Sequence, residues 1–530
     1  MFKHLFPLIL FALPFTLLGK ELPREVPRPA NEGYRPMPMS PFIEKPEGIN
    51  GDYRKLTITP KTLPDPLLRY RVNVFATEKE TGNAYPLYLA ALKEYNQAFQ
   101  RAELSIFQSE VYRKLDISTK EGNEEWQRLR FKAFPVYSHW GDAEWTAGLT
   151  AEEETRLYTQ TLAAVYPLLE KASKKTYIDW SDQYEYRGFA TLLGPLQEWR
   201  TLTRYLASKA DWEIRNGRYD DAIKTIRVGL AFSDMILESK PTSFLVGTMV
   251  GIACKGIMYD QLQRLSVQPD VPNLYPALMQ LTVNQRVWLD AIQSETHWLF
   301  RQYSDDAFWE SLDSLSPEQA KTALDEFVAV FASAGSADND EAKSIWKTIM
   351  GIASYQPAKQ RLLQKGFSEE DIEARTTHQI VIPFVFEEIK RTYDFMIFDA
   401  SMPVGESRSA INFDEYMQNK RRSPTNYPAD TVLELFTPAT QGARHAFRRQ
   451  TQTLDLLKIV HAIRYYAAVH DGKLPASLDE ITELAVPKMC PVTATPYQYS
   501  TEGNTAIIDY EVIPRQKSRM EIVVEERSQE

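Results

Sequence analysis

Apolar residues recur at intervals of three and four between residues 67 and 401, which is the spacing of amphipathic helices. In one such run, Leu196, Trp199, Leu202 and Leu206 lie on one predicted helix face. With a further run near the C-terminus, the pattern predicts helices over residues 85–115, 151–174, 192–216, 219–238, 242–265, 285–303, 317–332, 383–399 and 441–470. We expect antiparallel helices joined by short turns, because that arrangement buries each apolar stripe.

The pattern changes near the C-terminus to the alternation typical of strands. The segment PYQYSTEGNTAIIDYEV places strand-forming residues on both sides of a Glu502-Gly503-Asn504 turn, and RMEIVVEE predicts a third strand. The predicted fold class is therefore mostly α, with a helical-hairpin body and a small C-terminal α+β unit of two or three antiparallel strands.

The N-terminus has the pattern of an export signal. In MFKHLFPLILFALPFTLLGKE, the basic Lys3 precedes an apolar run from Leu5 to Leu18, and a polar chain follows Gly19. We predict a signal peptide over residues 1–19 and a periplasmic or extracellular location. An uncleaved N-terminal membrane anchor is the alternative, although Pro7 and Pro14 disfavour a spanning helix.

A proline-rich segment follows the predicted signal. Ten of the 32 prolines lie between Lys20 and Pro66, and such spacing prevents helix and favours extended backbone. The predicted organisation is a signal peptide at 1–19, an extended arm at 20–66, a helical repeat-like body at 67–425, and a long helix with a small sheet at 426–530.

Composition and charge narrow the classes of partner. The chain has 61 basic and 71 acidic residues, a net charge of −10, and no basic run that could follow a phosphate backbone. We therefore expect no nucleic-acid partner, and contact with a membrane only if the N-terminal segment is uncleaved. The two cysteines, Cys254 and Cys490, could pair in an oxidising compartment, although a simply buried Cys254 is the stronger alternative.

The segment ADWEIRNGRYDDAIKTIRVGLAFSD predicts a tight helical hairpin. Gly217 tolerates the left-handed conformation that ends a helix, Tyr219 can wedge between two helices, and Ala222 permits a close crossing. This spacing resembles one helix-turn-helix unit of a tetratricopeptide repeat, although no regular 34-residue register is present. The resemblance implies a tetratricopeptide-like body.

The sequence contains none of the common catalytic or metal-binding motifs. It lacks a dinucleotide-binding glycine pattern, a phosphate loop, HExxH, GxSxG and any CxxC pair. His139 with Asp142 and Glu295 with His297 are the best local acid-base pairs, but packed interface histidines explain them better. We therefore predict no catalytic residues, no metal ligands and no cofactor, and the sequence identifies no binding residues.

The landmarks LPDPLLRYRV, TGNAYPLYLAAL, MVGIAC, PNLYPALMQL and LKIVHAIRYYAAVHDGKLPASLDEI, taken in order, resemble a family of uncharacterised exported bacterial proteins. The last landmark also resembles the head of a type II secretion pseudopilin, through Tyr466, His470, Gly472, Pro475 and Leu478. That resemblance implies a pseudopilin-like fold for the C-terminal unit. CPVTATPYQY lacks the Asp and Gly of the pseudopilin calcium loop, so calcium binding is not implied. Filament assembly is not implied either, because more than 400 residues precede this unit, whereas a pseudopilin has its membrane helix directly ahead of it.

These patterns favour an exported, non-catalytic scaffold that binds protein or peptide partners in the cell envelope, because stacked helical hairpins form concave surfaces. Two alternatives remain open. One is an envelope hydrolase whose site is assembled from distant helices, and the other is a component associated with a secretion apparatus.

Overall fold

The structure is a computed structural model. It describes residues 45–116, 118–122, 125–126, 129, 150–181, 195–239, 245–299, 306–334, 340–402, 428–513 and 516–525. The predicted signal peptide, and the predicted arm up to residue 44, lie outside the described residues.

The described part is mostly helical, which confirms the predicted fold class. The α-helices are α1 Tyr85–Gln108, α2 Glu110–Arg113, α3 Ala151–Arg156, α4 Val165–Ser173, α5 Pro195–Arg215, α6 Tyr219–Leu237, α7 Leu245–Ser266, α8 Tyr275–Leu278, α9 Gln285–Leu299, α10 Asp306–Glu310, α11 Pro317–Ala334, α12 Asp340–Gln364, α13 Glu369–Glu373, α14 Thr377–Ser401 and α15 Pro428–Val469. Short 3-10 turns cover Ala76–Glu78, Leu312–Ser314 and Leu478–Glu480, and a π-helical turn covers Leu157–Thr161.

The strands are β1 Tyr53–Ile58, β2 Glu80–Asn83, β3 Lys175–Tyr177, β4 Met489–Cys490, β5 Thr495–Pro496, β6 Gln498–Glu502, β7 Thr505–Ile513 and β8 Gln516–Val524. The main sheet has the order β1-β8-β7-β6. The predicted hairpin and third strand form its antiparallel part, in which Ile508 is paired with Met520. The fourth strand, β1, comes from the segment predicted as an extended arm and pairs parallel to β8, with Leu56 opposite Ile522.

The predicted hairpin is formed by α5 and α6. Gly217 has a φ of +69°, and the amide of Arg218 donates to the carbonyl of Glu213 at 2.8 Å, which closes the end of α5. Ala222 is fully buried where the two helices cross, and Tyr219 is partly buried against the same core. This first core also includes α1, α4 and α7, and its apolar side chains are rich in Tyr and Trp.

The third helix of this bundle, α7, carries the Gly247 and Gly251 pair. A Cβ on Gly251 would lie 2.7 Å from Cδ2 of Leu237, so glycine is needed there for the close approach of α6 and α7. A Cβ on Gly247 would meet no atom within 4 Å in the described structure. Close packing in this pair is therefore confined to Gly251.

A second apolar core is built by α9, α11, α12 and α14. The sequence pattern did not predict α12, because exposed Ile345 and Ile352 and the internal Pro357 obscure its periodicity. The predicted start of α14 at Pro383 is wrong. The helix begins six residues earlier because Thr376 and Gln379 form a reciprocal capping box, and the proline is inside the helix.

Other helix bounds also differ from the prediction. The region predicted as one helix over residues 151–174 is divided by the π-helical turn into α3 and α4. The last long helix begins at Pro428, well before the predicted residue 441. Pro438 is inside this helix, at a position where the sequence alone disfavours helix because proline has no amide hydrogen for the helical bond.

The long helix α15 contributes side chains to all three cores. Phe447 packs in the second core, Leu454 in the first, and Ile459 in a third core that α15 forms with the four-stranded sheet. Because a helix presents residues on every side, its C-terminal half joins the helical body to the sheet.

A buried polar cluster fixes this junction. Arg464 is fully buried, and its guanidinium donates to the carbonyl of Thr59 at 3.0 Å and to that of Val271 at 2.9 Å. The amide side chain of Asn273 donates to the carbonyls of Lys61 and His461. These bonds tie the chain after β1 and the α7–α8 connection to α15.

We expect Arg464→Met to lower the free energy of unfolding by about 2–5 kcal/mol, because the carbonyls of Thr59 and Val271 lose their donor. Urea denaturation followed by circular dichroism measures the change. Lys458→Met, on the same helix but only partly buried, is the control and should change stability by about 0.5 kcal/mol or less. Equal stabilities for the two variants would contradict the structural role of Arg464.

Candidate functional site

The two acid-base pairs suggested by the sequence have no described side chains. His139 and Asp142 lie outside the described residues, and the side chains of Glu295 and His297 are likewise outside them. Acidic residues follow Thr150 and Ser368 in the first turns of α3 and α13, and these two residues cap the helices. Each hydroxyl accepts from the backbone amide three residues on, at 3.2 Å and 3.1 Å respectively.

His461 lies beside the buried Ser266. A serine next to a histidine can act as a nucleophile, with the histidine as its base. Its Nε2 lies 2.8 Å from Oγ of Ser266, while its Nδ1 accepts from the backbone amide of Leu274 at 3.2 Å. Since Nδ1 accepts a hydrogen bond, the proton is on Nε2 and is donated to Ser266. Nε2 therefore cannot take the serine proton, and the pair is structural.

The helix stop at the end of α15 is also architectural. Asp471 and Gly472 have φ values of +52° and +80°, so two successive residues take the left-handed conformation where the helix ends. The His470 ring stacks on Tyr466 at 3.9 Å, and the Tyr466 hydroxyl donates to Glu480 at 2.7 Å. Leu478 is buried in the third core, so the segment with Pro475 folds back on the helix.

Neither cysteine forms a disulfide or a reactive site in this structure. Cys254 and Cys490 are both buried and free, so the structure contains no disulfide between them. Burial raises the pKa of the Cys254 thiol to about 11, which makes it a poor nucleophile at neutral pH. Among the described residues, no group of three or more His, Cys, Asp and Glu side chains could hold a metal ion.

A cavity of about 520 Å³ lies where the first and second helical cores meet, and we call it the junction cavity. Its walls come from the segment over residues 72–79, β3, α6, α7, the segment over residues 280–287, and Phe447 and Gln450 of α15. A volume of this size is typical of pockets that hold a small ligand.

Four polar side-chain atoms in its wall have no hydrogen-bond partner within the described part of the chain. They are Oδ1 of Asn73, Oγ1 of Thr248, Oε1 of Gln280 and Nε2 of Gln450. Thr248 is fully buried and Gln450 is 5% exposed. Buried polar atoms in folded proteins are normally hydrogen-bonded, so these four are candidate contacts for a polar ligand.

Charged side chains lie at one side of the cavity. The Lys255 side chain is 4% exposed and donates to Oδ1 of Asp234 at 2.6 Å and to the carbonyl of Thr282 at 3.3 Å. Glu238 follows Asp234 by one helical turn and makes no hydrogen bond or ion pair to any described residue. Desolvation and the neighbouring Asp234 raise the pKa of the Glu238 carboxyl, while Lys79 and Lys255 oppose the shift.

The other buried ion pairs differ because their charges are satisfied within the protein. Arg215 forms a bidentate pair with Glu154 and also donates to Asp211. Arg444 pairs with Asp399 at 2.9 Å, in the second core. None of these residues lines the junction cavity, so their contacts hold helices together.

The residues of the predicted structural motifs also lie away from this wall. Gly217 precedes α6, and Tyr219 and Ala222 lie in its first turn, whereas the cavity is lined from Leu230 to Glu238 at the other end of that helix. Their contribution is to set the direction in which α6 enters the cavity wall. The sequence signal that could have indicated the site is Lys255, a lone charge within the apolar run of α7.

No protein-family model, curated protein or solved structure matches the chain. In the described part of the chain, no helix is both long enough and apolar enough to cross a membrane.

The neutral state of buried His461 predicts acid sensitivity. Desolvation, together with the nearby Arg464, holds its pKa well below the usual value, so the folded protein does not protonate it near pH 6. The unfolded chain does take up that proton below about pH 6.5. The free energy of unfolding should therefore fall with decreasing pH, by up to about 1.4 kcal/mol per pH unit from this residue.

Urea denaturation of the wild type and of His461→Gln between pH 7 and pH 5 measures this contribution. Gln does not titrate, so we expect the variant to be less stable at pH 7 but to lose stability less steeply on acidification. His461→Asn serves as a second non-titrating variant. Parallel pH profiles for the wild type and both variants would contradict a neutral, buried His461.

Proposed function

We propose that the protein is an exported, non-catalytic scaffold that binds a peptide segment of an envelope partner in the junction cavity. The observation that carries the proposal is the set of unpartnered polar atoms at Asn73, Thr248, Gln280 and Gln450 in the wall of that cavity. Export rests on the N-terminal pattern of a basic residue followed by an apolar run.

A peptide backbone fits this wall because each peptide group offers one donor and one acceptor. Asn73 and Gln280 present carbonyl oxygens, Gln450 presents an amide nitrogen, and the hydroxyl of Thr248 can donate or accept. Apolar side chains such as Val72, Ile252 and Val287 line the same cavity and offer contacts for peptide side chains. This mixture is typical of binding pockets that combine an apolar surface with a few polar groups.

The binding role is favoured over hydrolysis by the chemistry of the described residues. The buried Ser266–His461 pair has the wrong tautomer for base catalysis and does not line the cavity. The cavity wall contains no histidine or cysteine, and Ser173 is its only serine. Ser173 donates its hydroxyl to the carbonyl of Glu170, with no base beside it among the described contacts.

Ala231→Phe tests the site. Ala231 is a partly buried residue of α6 in the cavity wall, and a phenyl ring there would occupy space that the ligand needs. Peptides are selected from a display library against the wild-type protein, and their affinities are measured by fluorescence polarisation. We expect the variant to weaken binding at least tenfold, because the loss of good contacts to a bound ligand costs about 1.4 kcal/mol or more.

Ala163→Phe is the matched control, since Ala163 is exposed and does not line the cavity. It should bind the selected peptides like the wild type. Thermal unfolding of both variants establishes that each is folded. Peptides that bind both variants equally well, or the failure of selection to yield any peptide, would contradict the proposed site.

A further inference from the structure

We propose that the bound peptide presents a primary ammonium group to the mouth of the junction cavity, where Glu238 and Asp234 bind it. The inference rests on the proposed function and specifies the chemical class of its ligand. An α-amino group and a lysine side chain share this chemistry, and the experiment below distinguishes them.

The first observation is the state of the two carboxylates. Glu238 is exposed and makes no hydrogen bond or ion pair to a described residue, so both of its oxygens can accept. Asp234 is half-exposed, and Lys255 engages only its Oδ1. One helical turn separates the two residues, so their side chains lie on the same face of α6.

These acceptors match an ammonium group in number. An ammonium has three N–H donors and no acceptor, and the two carboxylates offer three oxygens that no described residue engages. Lys255 cannot take this role, because its ammonium already donates to Asp234 and to the carbonyl of Thr282. Its side chain is 4% exposed, so it is fixed in the cavity wall by these two contacts.

The raised pKa of Glu238 supports the assignment. Desolvation and the adjacent negative charge of Asp234 make the free carboxylate unfavourable, so a bound cation would relieve both effects. Lys79 lies in the cavity wall and acts electrostatically on Glu238, but it forms no ion pair with it in the described structure. The protein therefore leaves a carboxylate at the mouth without a cation in contact.

The second observation is independent of charge. Thr248 and Gln450 are buried polar residues in the wall of the same cavity, and their Oγ1 and Nε2 atoms lack partners among the described residues. They provide hydrogen bonds for the peptide groups that follow the ammonium. A charged mouth with a neutral, polar interior is what the charged end of a peptide requires.

The experiment uses the full chain and three forms of each peptide selected for the wild type. The forms have a free N-terminus, an acetylated N-terminus, or an acetylated N-terminus with one added lysine. We expect acetylation to weaken binding about 10–100-fold, in line with the loss of a hydrogen bond between charged groups. Recovery with the lysine form would show that a lysine side chain can replace the α-amino group, and no recovery would show that the site requires the α-amino group.

Glu238→Gln should produce the same loss for the free peptide and should make the acetylated and free forms bind equally. Glu373→Gln is the matched control, because Glu373 is exposed on α13 and does not line the cavity. Lys79→Gln tests the opposite charge and should not weaken binding. A loss of binding in Lys79→Gln with none in Glu238→Gln would overturn the proposal, because the ligand would then be anionic.

The pH profile adds a second readout. Binding should weaken as the pH falls through the raised pKa of Glu238, since protonation removes the negative charge. On the alkaline side it should weaken near pH 8 for an α-amino group and near pH 10 for a lysine side chain, because these are their usual pKa values. Asp234, Lys255 and Lys79 are the other charged groups around Glu238, and Glu238→Gln should remove the acidic limb while they remain.

The outcomes separate the two proposals. If peptides bind the wild type and lose affinity in Ala231→Phe, but bind Glu238→Gln as tightly as the wild type, the ammonium proposal is wrong and the cavity remains a peptide site. If no peptide binds in a manner that Ala231→Phe abolishes, both proposals are wrong.

Discussion

The structure depends on the packing of α15 between three apolar cores. A helix placed in this way must bury side chains on every side, and polar residues there need partners within the protein. Arg464 and His461 meet that need through backbone groups of the α7–α8 connection and, for Arg464, of the chain after β1. The same interactions therefore hold the helical body, the sheet and the N-terminal strand in one arrangement.

The position of the junction cavity follows from this constraint. The first core is rich in tyrosine and tryptophan from α1 and α5, and the second is built around α14, so their surfaces do not interlock completely. Gly251 lets α6 and α7 approach closely, and Lys255 lies one turn further along α7, where the two cores separate. Burying a lysine without an ion-pair partner costs free energy, and Asp234 is the partner of Lys255. The close packing of α6 and α7 and the cavity wall therefore depend on neighbouring residues of α7.

Much of the fold could be predicted from the sequence because its helices have clear apolar stripes and its hairpin has a clear turn. Leu196, Trp199 and Leu202 indicated α5, and Gly503 marked the turn between β6 and β7. The pattern failed where a local signal was ambiguous, as at Pro383, or where the partner is distant in sequence, as in the pairing of β1 with β8. The candidate site was not predictable for the second reason. Its wall joins residues from 72 to 450, and only tertiary packing brings Asn73, Glu238 and Gln450 to one cavity.

The parallel pairing of β1 with β8 has a consequence for the order of folding. The amide of Asp52 donates to the hydroxyl of Ser518, a residue 466 positions away, so the sheet is completed only after the rest of the chain is available. Closing so long a loop is slow compared with forming helical hairpins, although each doubling of its length adds only about 0.6 kcal/mol. A nascent chain would therefore carry β1 as an unpaired strand while its helices assemble, and β8 would complete the sheet last.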